Sequence, residues 1–269
     1  TGNSGASNDK DIDLRNGTVG GLTIGDSDTG TVAISGDQID FSTSTSNVNI
    51  NGGALTLAPN SDNFSSTLTL ENVTLGSNLG ALTIGESASN ANADVIISSA
   101  ATIAGAINIY GANVTLNNIL RTTTANSNVN LIASGTISGN SSAAIYTGDS
   151  DSNNTADLTG GSVLLAADSD NSSGGAIRIA SLVIRTNAAN ITLAGGDASG
   201  SGYAQGISAS GQWEGIRADG IDLASNGGDI VLRGKSHNGS ESSNHGTSGI
   251  MMHSGTNSIN AGTGAITID

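Results

Sequence analysis

The chain has no cysteine, a single proline (Pro59), one Trp, three Tyr and two Phe in 269 residues. Without cysteine there is no disulfide framework. With so few rings, an ordinary compact core of large aromatic and aliphatic side chains is excluded. Leu, Ile, Val and Phe together make up about 22% of the chain, just above the roughly 20% below which highly charged sequences stay disordered. No apolar run approaches the roughly 18 residues of a membrane-spanning helix, which argues against membrane insertion. Basic residues are scarce too: 8 Lys+Arg stand against 23 Asp+Glu, for a formal net charge of −15. Such a chain has almost nothing with which to neutralise phosphates, so nucleic acid is excluded as a partner. What is abundant is glycine, at 39 residues.

The order of the apolar residues decides between disorder and a fold that needs few large side chains. They recur in pairs with one residue between: Leu22/Ile24, Val32/Ile34, Leu55/Leu57, Leu68/Leu70, Val73/Leu75, Leu82/Ile84, Ile107/Ile109, Val114/Leu116, Val129/Leu131, Ile191/Leu193, Ile230/Leu232 and Ile266/Ile268 are examples. Period two is the signature of a strand with one buried and one solvated face. No sustained 3.6-residue pattern competes with it. The strands are short, about three to five residues, and bounded by Gly, Asn, Ser and Asp turn signals. An antiparallel sandwich or barrel shares this spacing, so internal repeats must arbitrate. Ser46–Ile50 matches Ser127–Leu131 at an offset of 127 − 46 = 81, and Asn72–Leu75 matches Asn113–Leu116 at 113 − 72 = 41. Asn187–Leu193 resembles Asn226–Leu232 at 226 − 187 = 39, and Gly21–Gly25 resembles Ala81–Gly85 at 81 − 21 = 60. These offsets cluster near multiples of about 20, while the Gly-Ala-Leu-Thr match between Gly53 and Gly80, at 27, stands outside the series.

The expectation is therefore an all-β fold, a right-handed parallel β-helix (β-solenoid) with coils of about 20 residues. Residues 1–269 would form a single elongated domain, with loop-rich insertions near 198–220 and 235–255. About ten to thirteen coils would make a rod of about 50–60 Å. A narrow stacked interior takes small inward residues, aligned Asn or Thr form ladders, and proline would remove a ladder donor.

The stretches Ala106–Asn117, Ser225–Gly234 and Gly262–Ile268 resemble phrases common in large secreted exoproteins of the filamentous-haemagglutinin type, the two-partner-secretion adhesins. The resemblance implies a right-handed β-helix shaft and an extracellular or bacterial cell-surface location. It also implies a role in adhesion, aggregation, biofilm or filament formation. Partners would be surface glycans or proteins of a host or neighbouring cell, or copies of the chain itself head-to-tail. Neither the secretion module of that family nor a signal peptide is recognisable, so the chain reads as an excised segment, a processed product or one subunit of a longer polymer. The missing cysteines suit a chain that crosses an outer membrane unfolded, since disulfides formed in an oxidising periplasm would obstruct it.

Candidate sites are few. Three Asp-Ser-Asp clusters occur, at Asp26/Asp28, Asp149/Asp151 and Asp168/Asp170. The middle one continues to give Asp149, Asp151, Asn153 and Asp157, oxygen ligands at alternate positions in the manner of a calcium loop. It lacks the glycine and closing acid of an EF-hand, and the alternative is a solvated turn held by its own side chains. His237, His245 and His253 are spaced evenly by eight, a metal arrangement only if successive coils bring them together. Trp213 and Tyr203 lie in one Gly/Ser/Ala segment and are candidate carbohydrate contacts; the alternative is rings folded over the solenoid wall. The chain is not expected to be an enzyme. Polysaccharide chemistry needs a carboxylate pair beside basic residues and aromatic platforms, and Lys10, Arg15 and Arg121 are the only basic residues in the first 177. A polysaccharide-binding or polysaccharide-degrading β-helix is the alternative reading.

Overall fold

The structure, a computed structural model, describes residues 12–13, 22–24, 30–41, 48–86, 93–172, 174–208, 213–237 and 248–269. Among these there is no helix, and every strand-to-strand ladder is parallel. Antiparallel pairing is confined to isolated bridges such as Gly175–Gln205. A sandwich built from hairpins would require the opposite pairing.

Successive strands are dealt to three faces in rotation. From Leu68–Leu70 the chain passes to Val73–Leu75, then to Ala81–Ile84, and returns beside its starting strand at Val95–Ile97. The nine-strand face runs from Thr31–Ser35 to Ile266–Ile268, and the seven-strand face from Leu68–Leu70 to Ile250–Met252. The third face is split. Three strands end at Val73–Leu75, and a separate six-stranded sheet begins at Ala101–Ile103.

The inward positions make the core. On the nine-strand face Leu55, Leu82, Ile107, Val129, Val163, Ile191 and Ile230 lie in register on successive circuits, all buried. Each such side chain stabilises the fold by roughly 1.5–3 kcal/mol. Outward polar residues add ladders: Asn130 Nδ2 donates to Asn108 Oδ1 at 2.8 Å, and Asn140 Nδ2 to Asn117 Oδ1 at 2.7 Å.

Most circuits are longer than the expected 20 residues. The shortest step is Val95 to Val114 (114 − 95 = 19) and the longest Ile137 to Ile177 (177 − 137 = 40). Nine circuits span about 40 Å rather than 50–60 Å. The text matches misled because one strand-and-turn phrase serves all three faces. Val48 of the 81-residue match lies on the split face and Val129 on the nine-strand face; the 41- and 60-residue matches likewise join different faces. The 39-residue match is one whole circuit, with Ile191 paired to Ile230. The 27-residue match that stood outside the series is a true one, with Leu55 paired to Leu82.

That match belongs to a column of close backbone approach. The residue two before the first inward residue of each nine-strand-face strand is Gly30, Gly53, Gly80, Gly105, Ser127, Gly161, Ala189, Gly228 and Gly264 in turn. A Cβ on Gly105 would lie 1.5 Å from the Gly80 carbonyl oxygen, and one on Gly161 2.0 Å from that of Ser127. Beside the later half of this column runs a second one, the wholly buried Thr122, Thr147, Thr186 and Ser225. Their hydroxyls donate to the carbonyls of Ser127, Gly161, Ala189 and Gly228 respectively, the first three at 3.1, 2.7 and 2.6 Å. Each buried hydroxyl is thereby satisfied while tying two faces together.

Apart from 59–67 and 85–94, connections stay short in the early circuits, and they lengthen later. The enlarged ones are 148–162, 168–176, 196–215 and 233–249. The expected insertions at 198–220 and 235–255 overlap the last two, but Ile216–Asp219 and Ile250–Met252 within those ranges are strands of the seven-strand face. The two connections also share a small parallel pair, Ala204–Gln205 with Gly234–Lys235.

Candidate functional site

Three ion pairs lie on the flank where connections 168–176, 196–215 and 233–249 leave the nine-strand face and enter the seven-strand face. The outward positions there are Arg178, Arg217 and Met251, in register on three circuits. Two guanidinium groups one strand-spacing apart repel, and each has its own carboxylate. Arg178 Nη2 lies 3.2 Å from Glu214 Oε2, with Glu214 buried. Burial pushes the Arg178 pKa down, against the pull of Glu214 in the other direction. The Arg178 Nε is buried with no hydrogen-bond partner among the described residues. Arg217 Nε lies 3.0 Å from Asp219 Oδ2, while Asp219 Oδ1 accepts from the backbone N–H and hydroxyl of Ser254 at 3.0 Å each and faces His253 Nδ1 at 3.2 Å.

Asp219 carries a pH consequence. Partial burial acts to raise its pKa, but the Ser254 bonds and Arg217 outweigh it and hold the carboxyl down at about 2. A carboxyl depressed on folding contributes stability above its unfolded pKa of about 3.9, and that contribution is lost as pH falls through the folded value. Asp219→Asn is therefore expected to lower the melting temperature at pH 6. The gap to the parent should shrink below about pH 4 and close near pH 2. Melting curves of both proteins across that range check it; a gap independent of pH would remove the Asp219 charge as its source.

The expected carbohydrate contacts are placed separately. Trp213 is half-buried, its ring 6.0 Å from that of His237 and tilted by 47°, and its carbonyl accepts the His237 backbone N–H at 2.9 Å. Tyr203 is 40% exposed and donates to Asp269 Oδ2 at 3.0 Å, which raises its pKa. The ring partner of Trp213 is thus His237, not Tyr203. His253 sits with Asp219, away from that pair, and His245 lies outside the described residues.

The Asp149–Asp157 loop belongs to connection 148–162. Of its four candidate ligands, Asp151 and Asn153 bond to each other, and Asp149 and Asp157 turn to other partners. Asp149 is fully buried and pairs with Arg121 Nε at 2.9 Å. Asp151 accepts from the backbone N–H and Nδ2 of Asn153, and Asn153 Oδ1 accepts from the Thr155 N–H. Asp157 accepts from the N–H and hydroxyl of Ser150, which lowers its pKa. Among the described residues no three His, Asp or Glu side chains lie close enough to hold a metal. Asp168 accepts from the Gly174 N–H and Asp170 from the Ser172 N–H, while Asp26 and Asp28 lie outside the described residues.

The Arg178–Glu214 pair and the Asp219 cluster were not legible as sites in the sequence. Their only signal is the stacking of Arg178 on Arg217, 39 residues apart, which appears once the circuit length is known. Fold and side chains together define a stacked, all-parallel β protein in which Arg121, Arg178, Arg185 and Arg217 each pair with an acid. No protein-family model, curated protein or solved structure matches this chain.

Proposed function

We propose that the chain is a right-handed parallel β-solenoid, a single elongated domain acting as a rigid structural and adhesive segment of an extracellular bacterial surface protein. The observation that carries this reading is the rotation of strands through three parallel faces over nine circuits. Right-handedness follows from the strong preference of parallel crossover connections. Such a rod projects a repeated surface, suited to weak contacts at many points with surface glycans, proteins or other copies of itself. The resemblance to filamentous-haemagglutinin-type exoproteins supports adhesion, aggregation or filament formation as its role. Among the described residues no strand pairs with the outer edge of Ile266–Ile268, and Ile266 and Ile268 are 48% and 56% exposed, so this edge suits pairing with a second copy.

Negative-stain microscopy with light scattering on the purified chain tests this. Rods about 40 Å long, single or joined end to end, are expected. Compact round particles would overturn the solenoid reading. Side-to-side clusters without end contacts would overturn the head-to-tail one.

A further inference from the structure

The break in the split face coincides with a groove. Val73–Leu75 and Ala101–Ile103 form no ladder with each other, although the strands on either side of them pair in register. The cause is one extra residue. The connection into the split face takes two residues in the neighbouring circuits, Glu71-Asn72 and Asn117-Asn118, and three here, 98–100. The N–H groups of Ser98 and Ser99 both reach the Leu70 carbonyl at 2.9 Å, and the Val73 N–H donates to Ser99 Oγ at 3.1 Å instead of to a neighbouring strand. Insertions of this kind re-aim strands and terminate pairing. They leave here an open groove of about 610 Å³, a volume within the usual span of ligand sites.

The walls include Glu71, Thr74, Ser98, Ser99, Thr102 and Asn118, with no cation and no aromatic ring among the lining residues. Asn118 is engaged, donating from Nδ2 to the Ser98 carbonyl and accepting the Ile119 N–H, both at 2.9 Å. The Glu71 carboxylate and the hydroxyls of Thr74 and Ser98 make no hydrogen bond or ion pair to any described residue. Arg121 Nη1 touches Thr102 Oγ1 at 3.4 Å, but its charge is committed to Asp149.

We propose that this groove binds a neutral saccharide. A carboxylate accepts from adjacent sugar hydroxyls, and Ser and Thr hydroxyls both give and take hydrogen bonds, so the unengaged groups match a polyol without leaving either side unpaired. Glu71 and the net charge of −13 over residues 1–177 (3 basic against 16 acidic) disfavour uronic acids and other anions. An extended peptide would want pockets for alternate side chains, and the unengaged wall groups are polar. The site does not depend on the chain being secreted or forming filaments.

Titration calorimetry of the purified chain with cellohexaose, maltohexaose, mannohexaose and, as the anionic comparator, hexagalacturonic acid tests it. At least one neutral hexasaccharide is expected to bind more tightly than the acidic one. Thr74→Trp fills the groove from an exposed position and should weaken that binding about tenfold or more. Glu71→Gln keeps the shape, loses the charge and should weaken it several-fold. Circular dichroism of both variants should match the parent, and if Thr74→Trp does not fold, Glu71→Gln decides alone. No binding of any neutral oligomer, undiminished binding by the folded variants, or a preference for the acidic one would overturn the proposal.

Discussion

Gly105→Ala is expected to destabilise the protein by about 3–5 kcal/mol, while Gly30→Ala, at the same column position, changes stability by no more than about 0.5 kcal/mol. The two positions differ in the described backbone that lies beneath them. An added Cβ at Gly105 would sit 1.5 Å from the Gly80 carbonyl oxygen, whereas at Gly30 it meets no described residue within 4 Å. The obstacle is backbone and cannot swing aside as a side chain would. Gly80 is itself tied to the Gly53 carbonyl at 2.7 Å, and Gly105 to that of Leu79 at 3.0 Å. Relief requires prising two circuits apart at the corner, which breaks these bonds and the packing of Leu82 on Ile107. Urea denaturation of the two variants beside the parent measures the difference. Equal midpoints would mean that the corners are not stacked this closely.

Arg121→Met is the second large effect, an expected loss of about 3–5 kcal/mol. The arginine carries Asp149, whose side chain is wholly buried and whose Oδ1 has no partner among the described residues. Taking the cation away strands a carboxylate in the interior, which is far more damaging than losing the attraction itself. Arg121 also donates to Asn154 Oδ1 at 2.5 Å and lies over the Tyr146 ring at 5.1 Å, so it fastens connection 148–162 against the split face. The double variant Arg121→Met/Asp149→Leu should recover most of the loss, because an apolar pair of similar volume needs no compensation. Thermal melts of the two single variants and the double variant check this. A double variant as unstable as Arg121→Met alone would show that lost packing, not the stranded charge, is responsible.

These two sites also show where reading along the chain stops. Asp149 has the spacing of a cation ligand when read with Asp151, Asn153 and Asp157, because spacing along a loop says nothing about which way a carboxylate points. Its partner is 28 residues earlier, on the preceding circuit. Most strands whose inward positions hold two large apolar residues were legible, as at Leu55/Leu57 and Ile107/Ile109, though Val95/Ile97 and Val163/Leu165 were passed over. Those that use alanine or glycine inside, as Ala101–Ile103, Ile137–Gly139 and Ile216–Asp219 do, were not legible. A stacked interior accepts a small residue on one circuit when its neighbours fill the space, so the local pattern weakens without the strand being lost. The groove was invisible for a similar reason. One extra serine in a Ser-rich corner is unremarkable until the ladder it interrupts is in view.

The sequence alone determined that the chain is built of short strands with one buried face, since a period of two and the turn residues between strands are local properties. It also determined that the interior is aliphatic and narrow, for want of anything larger to put there. Only the tertiary structure decided how many residues close a circuit, which glycine lies above which carbonyl, and where a face comes apart. Those depend on strands 19 to 40 residues distant, and three faces with the same needs are written in the same few residues. The scarcity of cations acquired its meaning there too: among the arginines, Arg121, Arg178, Arg185 and Arg217 each face an acid that folding brings beside them.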